Sequence, residues 1–126
     1  MDEPIREGIK PVLRKFGYKI IWMKELQHNE PIDDRIFAEI RRSSLMVADF
    51  TGMRSSVFYE AGFAAGLGIP VIFTCDKTEK EEVEKHFDTR QIIHMFWSDS
   101  NDLSRQLTDR IGATISPTPK TPDSLN

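Results

Sequence analysis

The 126 residues fit one domain of ordinary size, long enough to bury a real core. Charged side chains make up 29% of the chain at a formal net charge of −3, which gives no basic footprint for a nucleic-acid polymer. The longest nearly apolar stretch, Gly62 to Phe73, falls short of the roughly 20 residues a membrane helix needs, and the opening Met-Asp-Glu-Pro has no signal-like apolar core, so a soluble chain with no membrane partner is expected.

Ile5, Ile9, Val12, Leu13 and Phe16 recur at helical spacing, with Pro4 suited to the first turn, Gly17 to the stop, and Pro11 expected to kink the helix. Tyr18 to Met23 reads as a strand, and Lys24 to Asn29 as a polar loop. A second helix starts at Pro31, places Ile32, Ile36, Phe37 and Ile40 on one face, and ends near Arg41-Arg42-Ser43. Leu45 to Asp49 is a strand, Thr51 to Ser56 a turn-rich loop, and Val57 to Leu67 a helix with Gly68 near its C-cap. Pro70 to Cys75 is a near-continuous apolar run of the kind that suits a buried parallel strand. Lys77 to Lys85 reads as a solvated loop or short helix and Gln91 to Trp97 as a last strand. Leu103, Leu107 and Ile111 mark a final helix capped by Asp99, Ser100 or Asn101, and the Pro-, Ser- and Thr-rich tail from Ser116 to Asn126 is expected to be disordered. This alternation calls for an α/β domain over residues 1–115: a three-layer, doubly wound, mainly parallel sheet of flavodoxin or Rossmann type. The chain opens on a helix, so the first strand of such a sheet is missing from the pattern, and the uncovered edge this leaves points to a homo-oligomer.

In an open α/β sheet, ligands sit beyond the carboxyl ends of the strands, which puts Asp49, the following loop and Glu60 at one crevice. Glu60 stands among Ala61, Gly62, Ala64, Ala65 and Gly66, small residues that permit close packing on the sheet and leave room for a long charged side chain only toward the crevice. At or just after the first helical turn its carboxylate is favoured by the macrodipole, and an ionised carboxylate is what a glycosyl nucleophile requires. Asp33 and Asp34, in the first turn of the second helix, are candidates for the partner acid, with Asp34 preferred. Gly52, Ser55 and Ser56 offer backbone N–H groups and hydroxyls to a phosphate or a sugar, and Arg54 could add a charge-assisted bond.

The three histidines show no metal-ligand spacing, and no metal or cofactor is expected. Cys75, the one cysteine, cannot form an internal disulfide and closes an apolar strand; it reads as a small core residue in a reducing, cytoplasmic setting. Trp22 and Trp97 close apolar strands and fit either core or pocket wall.

At Val47-Ala48-Asp49-Phe50-Thr51-Gly52, then Val57-Phe58-Tyr59-Glu60-Ala61-Gly62-Phe63-Ala64, then Gly68-Ile69-Pro70-Val71-Ile72, the chain resembles the nucleoside 2-deoxyribosyltransferase superfamily, in its uncharacterised bacterial branch. The likeness spans roughly Ile5 to Ile115. It implies that Glu60 attacks C1′ of a nucleoside or nucleotide and displaces the base, that Asp34 handles proton transfer at the base, and that Ser55 and Ser56 meet the sugar or its phosphate. Ser56 stands where the family often has Asn, and the family's first strand has no counterpart before Asp2. The expected function is N-glycosidic bond chemistry, as hydrolase or deoxyribosyltransferase. The alternatives are a non-catalytic nucleotide-binding signalling or sensor module related in shape to TIR-like domains, and a protein-interaction domain.

Overall fold

The computed structural model describes residues 2–22, 34–52, 55–86 and 94–115. Its elements are α1 (Asp2–Lys15), α2 (Asp34–Arg42), β1 (Met46–Asp49), α3 (Ser55–Gly66), β2 (Val71–Asp76), a 3₁₀ turn (Lys77–Glu79), α4 (Lys80–His86), β3 (His94–Trp97), α5 (Ser100–Arg110) and a π-helical turn (Ile111–Ile115). The strands form one parallel sheet in the order β1-β2-β3, with Met46 opposite Val71 and Phe73 opposite His94. This is an α/β domain with a small parallel sheet, consistent with a Rossmann-like arrangement.

Alternation along the strands sorts the core. Val47, Ile72, Met95 and Trp97 pack with Ile9 and Val12 of α1 and with Leu103 and Leu107 of α5. Their neighbours Met46 and Val71 pack with Ile36 and Ile40 of α2 and Ala64 of α3, while Ala48 and Phe73 meet Ala61, Val57 and Phe58. Successive strand side chains point to opposite faces, which separates these two sets of contacts. Gly8 lets α1 and α5 come close: a Cβ there would lie 2.8 Å from Leu103 Cδ2, and Ser104 Oγ donates to the Gly8 carbonyl at 2.6 Å.

Local chemistry sets the ends. α1 stops at Gly17, whose φ of 86° is the left-handed conformation that closes a helix; its N–H donates to the Arg14 carbonyl and that of Tyr18 to Leu13. Gly68, at φ 82°, does the same for α3. Asp99 caps α5, its carboxylate accepting from Asp102 N–H at 2.8 Å.

α1 runs through Pro11 to Lys15 without a break. Pro11 and Glu7, the residue whose carbonyl the proline leaves without a helical donor, are both exposed, so water can satisfy that group. The segment expected as a strand from Tyr18 to Met23 is not one over 18–22, and Met23 lies outside the described residues; the apolar pattern is there, but among the described residues no strand pairs with it. The charged stretch from Lys77 is helical, anchored by Val83, which is fully buried. The start of the second helix at Pro31, residues 91–93 of the last strand, and the tail from Ser116 lie outside the described residues.

Candidate functional site

Beyond the carboxyl end of β1 the chain turns at Thr51-Gly52 and enters α3 at Ser55. Glu60 is the sixth residue of α3. That places it in the second turn, past the reach of the macrodipole, so burial and position mark it rather than the helix terminus. Its side chain is 3% exposed and lines a cavity of about 820 Å³ together with Ala48, Asp49, Thr51 and Val57.

Asp49 lines the same cavity and accepts three hydrogen bonds from the protein. One carboxylate oxygen accepts from the Thr51 N–H at 2.9 Å; the other accepts from the Thr74 hydroxyl at 2.5 Å and the Trp97 indole N–H at 2.8 Å. It ties the carboxyl ends of all three strands together. Thr51 adds to this knot, its hydroxyl accepting from Asp76 N–H at 2.9 Å. Gly52, at φ 87°, directs its N–H to the Glu79 carboxylate at 2.9 and 3.1 Å, so the donor expected to face a ligand meets an internal acid.

Among the remaining candidates, Ser56 is half-buried at the start of α3. Arg54, Asp33 and the Ser55 side chain lie outside the described residues. Asp34 is exposed as the first residue of α2 and does not line the cavity, so Glu60 and Asp34 are not brought together there. The two tryptophans divide their roles: Trp97 is core, whereas Trp22 lines the cavity, flanked by the Arg6 guanidinium and the Lys10 ammonium at 5.6 and 5.4 Å from its ring. Glu79 was not singled out by the sequence, because its partner Gly52 lies 27 residues away. Among the described residues no group of three His, Cys, Asp or Glu could hold a metal ion, and no helix is long and apolar enough to cross a membrane.

Cys75 is fully buried on β2. Burial first, then the negative charges of Asp49 and Glu79, push its thiol up to about 12. Because the thiolate is the reactive form, iodoacetamide at pH 8 is expected to label the unfolded protein readily and the native protein very slowly, as read by intact mass. The folded pKa lies above the ordinary value of 9.0, so this group's stabilising contribution is complete below about pH 9 and is lost as pH rises toward 12. Urea midpoints that fall on going from pH 8 to pH 10.5, with a smaller fall in Cys75→Ser, would show it.

No protein-family model, no curated protein and no solved structure matches the chain.

Proposed function

We propose that the chain is a three-layer, doubly wound α/β domain that performs N-glycosidic bond chemistry on a nucleoside or nucleotide, as a hydrolase or a deoxyribosyltransferase, with Glu60 as nucleophile. The observation that carries the reading is Glu60 itself: a buried carboxyl near the carboxyl end of β1, the side of a parallel sheet where ligands bind, on the wall of a cavity that runs alongside that strand. The sequence resemblance assigns the same residue.

In the proposed first step a Glu60 oxygen forms a bond to C1′ while the bond from C1′ to the base nitrogen breaks. The base leaves with the electron pair and takes a proton from an acid. The resemblance gives that role to Asp34, which from its exposed position would have to reach the base from outside the cavity wall. Water then cleaves the glycosyl ester to give free sugar, or a second base does so to give a new nucleoside. Asp49 would serve by fixing the strand ends and the Thr51-Gly52 turn around the sugar.

One feature favours a second reading, a nucleotide-binding sensor module without turnover: the Gly52 N–H and both Asp49 oxygens are already satisfied within the protein, leaving fewer groups for a reacting substrate. A panel of nucleosides, nucleotides and NAD incubated with the protein separates the two. Free base is expected from at least one of them; a ligand-induced rise in melting temperature with no base released from any would favour the sensor module.

A further inference from the structure

Gly52 is a backbone donor that the loop after β1 offers to a phosphate, and the protein covers it with an acid of its own. Both Glu79 oxygens accept from that one N–H, at 2.9 and 3.1 Å. The turn after β2 is what brings Glu79 there. The Asp76 carboxylate accepts from the Thr78 N–H at 3.0 Å and from its hydroxyl at 3.1 Å, which winds Lys77–Glu79 into a 3₁₀ turn, and the Asp76 N–H is tied to the Thr51 hydroxyl. α4 follows at once, anchored by buried Val83. Glu79 thus stands between two fixed points, and rotation of its side chain cannot carry its charge far from Gly52. Asp49 adds its own charge, accepting from the Thr51 N–H, and the buried Cys75 thiol is pushed up by Asp49, Glu79 and Asp76 together, after burial itself. Among the described residues three carboxylates therefore gather at this turn.

We infer that Glu79 selects nucleosides and excludes their phosphorylated forms: its carboxylate occupies the Gly52 N–H and holds negative charge where a phosphate would sit, a selectivity that rests on the glycosidic reading of the site. A phosphate monoester brings about −1.5 to −2 charges at neutral pH, so seating one on this turn means displacing Glu79 against like charges. A free sugar hydroxyl meets no such opposition. It can donate to the Glu79 carboxylate and leave the turn as it stands. The bond from Gly52 is exposed, so water competes with it and its loss costs the fold little. What Glu79 contributes is therefore charge at a fixed place more than stability, and the two can be separated by substitution.

Each nucleoside of the panel is assayed beside its 5′-monophosphate. The parent is expected to release base from a nucleoside at least tenfold faster, as kcat/KM, than from the matching monophosphate. Glu79→Gln keeps an oxygen for the Gly52 N–H and removes only the charge, so that ratio should shrink by about fivefold. Asp109→Asn makes the same change of charge at an exposed position near the far end of α5 and should leave the ratio as it is. A second arm needs no turnover: inorganic phosphate is titrated into ¹⁵N-labelled protein and followed at the Gly52 amide. Glu79→Ala frees that N–H and is expected to show a saturable shift, with phosphate bound at least tenfold more tightly than by the parent. The inference is overturned by a parent that binds phosphate at Gly52 as well as Glu79→Ala does, by a Glu79→Ala protein with no saturable shift, or by a parent that turns over a monophosphate as fast as its nucleoside. Equal narrowing of the ratio by Asp109→Asn would overturn it too, since net charge alone would then account for the effect. If no protein releases base, the glycosidic reading fails, and the phosphate titration by itself decides whether Glu79 keeps phosphate off Gly52.

Discussion

Glu60→Gln is expected to fold and to lose base release by on the order of a thousandfold or more. The amide keeps the shape of the side chain at a site only 3% exposed. What it cannot do is form the glycosyl ester. Nucleoside affinity should therefore survive while turnover does not, a separation that a packing role for Glu60 would not produce. Asp34→Asn is expected to cost less, about tenfold to a hundredfold, and chiefly with bases that leave poorly, as suits an assisting acid. Turnover by Glu60→Gln at the parent rate would remove the nucleophile from the account.

The second large effect is structural. Asp49→Ala strips the acceptor from three donors at once: the Thr51 N–H, the Thr74 hydroxyl and the Trp97 indole N–H. Thr74 is fully buried and Trp97 nearly so, so water entering from the cavity beside half-buried Asp49 replaces the carboxylate only in part. Each buried donor left unsatisfied costs about 1–3 kcal/mol, and a total of about 2–4 kcal/mol would lower the melting temperature by roughly 10 °C. Asp49→Asn, which keeps one acceptor oxygen, should fall between. The emission of Trp97 is expected to change in both variants, whereas Thr74→Val, which removes a donor and keeps the shape, should cost far less. Equal stability of Asp49→Ala and the parent would refute the three-strand tie.

The elements whose signal is local were legible in the sequence. β1, β2 and α3 follow from apolar runs broken by Gly52 and Gly68, and the α5 cap from an acid placed just before the helix. The segment from Tyr18 to Met23 was misread over its described part because a strand is a property of two segments: its pattern is right, and among the described residues it has no neighbouring strand. The charged stretch Lys77 to Lys85 fitted either a solvated loop or a short helix, and what decides for the helix is one buried side chain, Val83. At the site, Glu60 stood out by contrast with its small neighbours. The roles of Asp49 and Gly52 could not be read in the same way. Asp49 meets donors 25 and 48 residues away, and Gly52 meets a carboxylate 27 residues away, pairings that no local spacing encodes.

The central claim, that Glu60 becomes covalently bonded to a sugar, is tested most directly by intact and peptide mass spectrometry after incubation with a nucleoside carrying fluorine at C2′, which slows hydrolysis of a glycosyl ester more than its formation. The account predicts a mass gain equal to the fluorinated glycosyl group, located on the peptide that contains Glu60 and absent from Glu60→Gln. Release of base from that nucleoside with no adduct, or an adduct on any other residue, would contradict it.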